Sequence, residues 1–323
     1  MTQKDVEIGV LIYSGAQQAA VLGMTDLFQV AAGIAESKLP IAPRLSVTHW
    51  RFGAGSEPER CFGDAPDTKT NPQVLICPPS LDPPKPEPLP AEIMCWLRGQ
   101  YDAGVTLASV CAGAFLLAES GLLEGRAATT HWMYAETFRQ RYPGIKLDSD
   151  RLIIDEGDII TAGGAMSWTD LGLKLVDRFL GPNVMIETAR MLLIDPSGRE
   201  QRYYSAFSPN LTHGDSAILK VQHWLHGTNA RETSLAALSE KAELEERTFL
   251  RRFQAATGMT TTEYTQQLRV SKARELLQFE RTSIDRIAWE VGYSDPGSFR
   301  KVFFKVVGLT PGEYRKRFSA FTH

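Results

Sequence analysis

At 323 residues, with 43% apolar and 23% charged side chains, the chain has an ordinary soluble globular composition and the length for two compact cores. The four cysteines (Cys61, Cys77, Cys95, Cys111) form no CxxC pair and stand near no histidine-rich tract; this argues against structural zinc or a disulfide framework and fits a reducing cytoplasm. The net charge of −3 divides unevenly: residues up to 214 carry 18 basic and 25 acidic side chains, the remainder 17 and 13, so the back of the chain is the part suited to a polyanion.

The start, MTQKDVEIGVLIY, is polar and leads straight into a strand, and no run of 18 uncharged apolar residues follows, so neither a leader nor a membrane span is expected. Short β-branched runs at Val6–Tyr13, Leu45–Phe52, Val74–Cys77 and Val105–Val110 alternate with helical patterns at Val21–Ala32 and Ala91–Asp102. That alternation predicts an α/β layer with a mainly parallel sheet covered on both faces. Ala127–His131, Arg151–Ile154 and Ile159–Ala162 are expected to extend the sheet, and helices Trp168–Leu180 and Val184–Ile194 to close the layer. Several prolines between Pro78 and Pro90 make that stretch a surface loop. The first domain is therefore placed at residues 1–195 and an aperiodic linker at 196–214. The rest, 215–323, begins with a helix at Asp215–His226 and is all helical.

The helical part repeats itself at an offset of fifty residues. Phe249, Arg251, Phe253 and Gly258 match Phe299, Lys301, Phe303 and Gly308; Thr260, Glu263 and Tyr264 match Thr310, Glu313 and Tyr314. Each copy reads as a short apolar helix, a tight turn and a second helix ending at glycine. The phenylalanines at i and i+4 point one face of the second helix inward, and the opposite face is basic: Arg247, Leu250, Arg251 and Gln254 in copy one, Arg300, Lys301 and Lys305 in copy two. A connecting helix over Thr260–Gln278 would span roughly 28 Å, comparable with the ~34 Å between successive major-groove faces.

These marks, FLRRFQAATGMT, LRVSKARELL and SIDRIAWEVGYSDPGSFRKVFFKVVGLTPGEYR, resemble the AraC-type DNA-binding domain over about Ser216–Phe318. The resemblance implies double-stranded promoter or operator DNA as the partner. It makes Arg247, Leu250 and Arg251 in copy one, and Gly297, Arg300 and Lys301 in copy two, the base-edge candidates. Copy one departs from the pattern, with Glu243 where the turn usually has glycine, Glu245 where serine usually caps the helix, and Thr261 in place of proline.

In the front region, Ala108-Ser109-Val110-Cys111-Ala112-Gly113-Ala114 ends a strand and opens the helix Phe115–Ser120, the shape of a nucleophile elbow. A helix N-terminus there is expected to lower the thiol pKa. Thr129-Thr130-His131 follows on what is read as the next strand, and Trp132 beside it offers a cation–π face. SVCAGAFLLAESGLLEGRAATTHW, TAGGAMSWTDLGLKLVDRFLG and REQRYYSAF resemble the GlxA family of regulators, which joins a PfpI-like domain of the class I glutamine amidotransferase fold to an AraC-type domain. The resemblance implies a flavodoxin-like parallel-sheet sandwich, Cys111 at the nucleophile position and Ala112 as a backbone oxyanion donor. It also implies a homodimer and a small effector, often a nitrogenous metabolite, in a pocket near Cys111, Ala112, His131, Trp132 and Ser80.

Three departures argue against catalysis. Ala20 stands where PfpI-like enzymes have a carboxylate, Ala112 where the peptidases have histidine, and Pro79, without an N–H, where a glycine donates to the oxyanion. Losing one such donor costs on the order of 3–4 kcal/mol of barrier. The expected protein is thus a cytoplasmic, nucleoid-associated DNA-binding regulator with no cofactor and no metal. A hydrolase or amidotransferase with a DNA-binding tail and a redox sensor using Cys111 are the alternatives.

Overall fold

The computed structural model describes residues 5–52, 58–63, 72–85, 90–195 and 199–321; residues 86–89 of the proline-rich stretch and 196–198 of the expected linker lie outside these. The chain divides into two units, Met1–Gln201 and Arg202–His323.

In the first unit the elements run β1 (Val6–Ile12), α1 (Gln18–Lys38), β2 (Leu45–Phe52), β3 (Pro58–Phe62), β4 (Val74–Cys77), α2 (Ala91–Asp102), β5 (Thr106–Val110), α3 (Ala114–Glu119), β6 (Ala127–Ala128), α4 (Ala135–Arg141), β7 (Lys146–Leu147), β8 (Ile153–Asp155), β9 (Ile159–Ala162), α5 (Trp168–Leu180) and α6 (Pro182–Leu192). The sheet order is β3-β2-β1-β4-β5-β9-β8, parallel from β2 to β9, with β3 and β8 antiparallel at its edges. Side chains alternate between its two faces. Val74 and Ile76 join Ile8, Val10, Met24, Phe28 and Leu175 in one core, while Leu75 and Cys77 join Leu11, Leu97, Phe115 and Phe138 in the other. Both faces are covered, as near-continuous apolar strands require. Between β1 and β4 the strand order reverses, which opens a crevice at the carboxyl ends of the strands.

By length and composition α1, with a hydropathy of 1.2, is apolar enough to cross a membrane. Here its Ala20, Met24, Leu27, Phe28 and Ala31 are buried in the core.

Several elements, β3, α4, β6 and β7 among them, differ from the expectation. The edge strand β3 was not expected, because its burial is slight and its sequence, PERCF, lacks an apolar run. Ala127–His131 does not extend the main sheet: only Ala127 and Ala128 are strand, paired in parallel with β7 in a separate two-stranded sheet. The threonines that follow bond through side chains instead of a ladder. The Thr129 N–H donates to Thr161 Oγ1 at 2.9 Å, and Thr130 Oγ1 donates to Cys111 O at 2.8 Å.

The second unit is helical: α7 (Ser216–Gly227), α8 (Leu235–Ala242), α9 (Glu246–Thr257), α10 (Thr261–Phe279), α11 (Ile284–Glu290), α12 (Pro296–Val307) and α13 (Pro311–Phe318). The duplication is visible as two cores, one built on Leu238, Phe249, Phe253 and Tyr264 and the other on Ile287, Phe299, Phe303 and Tyr314. Thr260 and Thr310 each form a capping box with the glutamate three residues on, so α10 and α13 start in the same way. Gly258 and Gly308 end α9 and α12 at φ 72° and 81°, where any other residue would be strained.

Candidate functional sites

The elbow forms because β5 ends at Val110 and the chain turns at once through a 3-10 turn, Cys111–Gly113, into α3. Cys111 sits at φ 55°, in the left-handed region, and is 2% exposed. Gly113 has no alternative: a Cβ there would lie 2.3 Å from the Cys77 carbonyl oxygen at the end of β4. The expected lowering of the Cys111 thiol pKa is overturned. Burial pushes it up to about 11, against a smaller opposite pull from the Ala112 N–H. Cys77, fully enclosed, is pushed up to about 12.

Tyr13, just past β1, donates to Pro78 O at 2.6 Å, and burial beside Cys77 and Cys111 raises its phenol pKa. Ala20 is fully buried at the start of α1. The Pro79 carbonyl accepts the Gln17 N–H at 2.7 Å, and Gln17 Oε1 is buried with no partner among the described residues. Ser80 bridges to Ala16, and its hydroxyl accepts the Asp82 N–H at 3.1 Å, so it shapes the loop after β4. His131 stands on no strand; it caps a 3-10 turn, Trp132–Tyr134, with Nδ1 accepting the Met133 N–H at 3.1 Å. Nε2 then carries the proton of the neutral ring, the form that burial favours. The His131 ring centroid lies 5.5 Å from that of Trp132 and 5.7 Å from that of Tyr134. Among the described residues, neither Cys111 nor His131 is bonded to a carboxylate, and no three potential metal ligands cluster.

Gln201 is the residue that sequence reading missed. It is 2% exposed, its Nε2 reaches Thr130 O at 2.8 Å and Arg151 O and Thr129 Oγ1 at 3.0 Å, and its Oε1 accepts the Trp132 N–H at 3.1 Å. It lies in REQRYYSAF, one of the stretches that carry the resemblance, but a glutamine in an aperiodic stretch does not by itself signal such a role.

On the helical unit, α9 exposes Arg247, Leu250 and Arg251, and α12 exposes Arg300 and Lys301. Gly297 is partly buried, and its N–H donates to Asp295 Oδ1 at 3.0 Å. Arg300 is ion-paired with Asp285 of α11, a surface pair both of whose side chains are 49% exposed. The starts of the two helices differ. Asp295 caps α12 through the N–H groups of Gly297 and Ser298, whereas Glu245 makes no side-chain cap on α9. Glu243 occupies the left-handed turn position at φ 57° that Gly292 fills in copy two at 89°, and it pairs with Lys220 at 2.6 Å.

Residues 238–317 match the helix-turn-helix domain family and residues 82–178 the DJ-1/PfpI family. The HTH-type transcriptional regulator CdhR of Pseudomonas aeruginosa is 28% identical over 71% of this chain and 69% of its own. The HTH-type transcriptional regulator GlxA of Rhizobium meliloti is 28% identical over 68% of each. A putative transcriptional regulator from Vibrio parahaemolyticus superposes with a TM-score of 0.47 at 20% identity, covering 58% of this chain and all of its own. The chain is thus a DNA-binding transcriptional regulator that carries an AraC-type helix-turn-helix domain behind a DJ-1/PfpI domain, homologous to GlxA and CdhR.

Proposed function

We propose that the DJ-1/PfpI unit is a receptor for a small nitrogenous effector and the site of homodimerisation, and that α9 and α12 dock on promoter DNA in the cytoplasm. Residues 196–214 link the two activities. The observation that carries the receptor reading is an elbow kept in shape but disarmed. The turn at Cys111 and its glycine are retained, while Ala20, Ala112 and Pro79 supply neither acid, base nor second oxyanion donor. A thiol at about 11 is a thiolate in only roughly one molecule in ten thousand at neutral pH, which also weakens the redox-sensor alternative. The aromatic rings of Trp132 and Tyr134 beside neutral His131 suit an organic cation.

The test is thermal unfolding of the full chain with amino acids and quaternary amines. A ligand at 100 times its Kd stabilises by ~2.7 kcal/mol, and the shift should vanish in Trp132→Ala. Saturable turnover of an amide or peptide that is lost in Cys111→Ala would overturn the receptor reading. A monomer in sedimentation at micromolar concentration would overturn the dimer.

A further inference from the structure

The sister phenylalanines of α12 behave in opposite ways. Phe299 and Phe303 are completely buried, but Phe304 is 51% exposed, belongs to neither helical core and has no ring contact among the described residues. The repeat supplies an internal control. The position fifty residues earlier is Gln254, exposed on α9, so the same fold is made with a polar side chain there. Packing therefore does not account for the ring. Its neighbours on the helix surface are Arg300 one turn back and Lys301 three residues back, and Lys301 in turn neighbours Lys305, all exposed. A face with three basic side chains, Arg300 among them in an exposed pair with Asp285, suits a polyanion, and the apolar feature that B-DNA presents in its major groove is the C5-methyl of thymine.

We infer that Phe304 reads a thymine methyl group in the major groove and makes the two recognition helices differ in sequence preference. Copy two selects T·A at this step through the ring. Copy one, with Gln254 in the same place, has the side chain that pairs with the N6 and N7 edge of adenine. This rests on the reading of α12 as a base-contacting helix.

The experiment uses duplexes selected from random DNA by the full chain, with each thymine in turn replaced by uracil, which removes the methyl alone. For the unaltered protein, one uracil on the copy-two side should weaken binding about fourfold, the factor for one buried methyl. In Phe304→Ala that uracil should have no effect, and Phe304→Gln should shift the preference at that step from thymine to adenine. If no uracil matters, or if it matters equally in Phe304→Ala, the inference is overturned. So it is if Phe304→Ala alters sedimentation and leaves the thymine response intact, which would make the ring a protein contact. Arg300→Ala and Lys301→Ala separate the two levels. If both leave the ratio of specific to non-specific binding unchanged, the parent reading of α12 fails; if they lower it and the uracil arm still fails, the inference on Phe304 falls alone.

Discussion

At the scale of single residues, the two copies of the repeat act as controls for each other. Glu243 holds the left-handed turn that Gly292 holds in copy two, at a steric cost of roughly 1–2 kcal/mol. Its pair with Lys220 lies on the surface, where solvent screens it, and offsets little of that. Glu243→Gly should therefore stabilise the helical unit by about 0.5–1 kcal/mol. Glu245→Ser should supply the missing cap on α9 for a further ~0.5–1 kcal/mol. Denaturant titration checks both, and a lower midpoint for either would refute the assignment. The unusual residues at these positions were legible in the sequence because the turn and cap are local.

The Cys111 thiol was not legible, because its pKa depends on burial by strands and helices far apart in the chain. Alkylation should accordingly label exposed Cys61 and Cys95 first and leave Cys77 and Cys111 protected. The Cys111 rate should rise about tenfold per pH unit up to its pKa of about 11. Fast labelling of Cys111 at neutral pH would contradict the buried elbow.

At the scale of elements, periodicity located α2 and α5 to the residue and found α9 and α12 through their phenylalanine pairs. It failed at β3 and β6, where partners across the chain, not local pattern, decide pairing. Phe303→Ala should cost about 3–5 kcal/mol by opening the second core, whereas Phe304→Ala on the same helix should cost close to nothing.

The connecting helix carries a further device. Arg269 of α10 donates twice to Ala230 O, at 2.8 and 3.2 Å, and lies over the Tyr293 ring at 5.3 Å, against the Gly292 turn of copy two. Tyr293 in turn lies 5.6 Å from Phe299 of α12. One guanidinium thus ties the turn after α7 to the turn that precedes α12. Arg269→Ala should lose about 1–3 kcal/mol, for the carbonyl left without its partner. It should also make DNA binding less sensitive to an inserted base pair between the two halves of the site. An unaltered spacing response would limit Arg269 to a stabilising role.

At the scale of the whole molecule, the change from strand-helix alternation to helices alone and the reversal of charge near residue 214 were both readable without coordinates. So was the duplication, which gives one chain two similar surfaces to present to DNA. The junction was not. Of the segment read as a linker, residues 202–205 are fastened in the second unit, where Arg274 of α10 donates to Arg202 O at 2.8 Å and also to Ser205 O, and Tyr204 packs edge-on against Phe318. Gln201, one residue earlier, is fixed by its side chain in the first unit. An aperiodic sequence hides such anchoring because main-chain carbonyls provide much of it.

If α12 reads bases, its exposed cations are more than a solvated face. Arg300→Ala and Lys301→Ala, titrated against a selected duplex and a scrambled one at several salt concentrations, test it most directly. A base contact is worth ~1–3 kcal/mol of discrimination, so specific affinity should fall roughly fivefold to a hundredfold while non-specific affinity changes little. A contact to phosphate alone would weaken both duplexes alike and flatten the salt dependence by about one unit of slope. Equal losses on both duplexes for both variants would show that α12 does not read bases and leave recognition to α9.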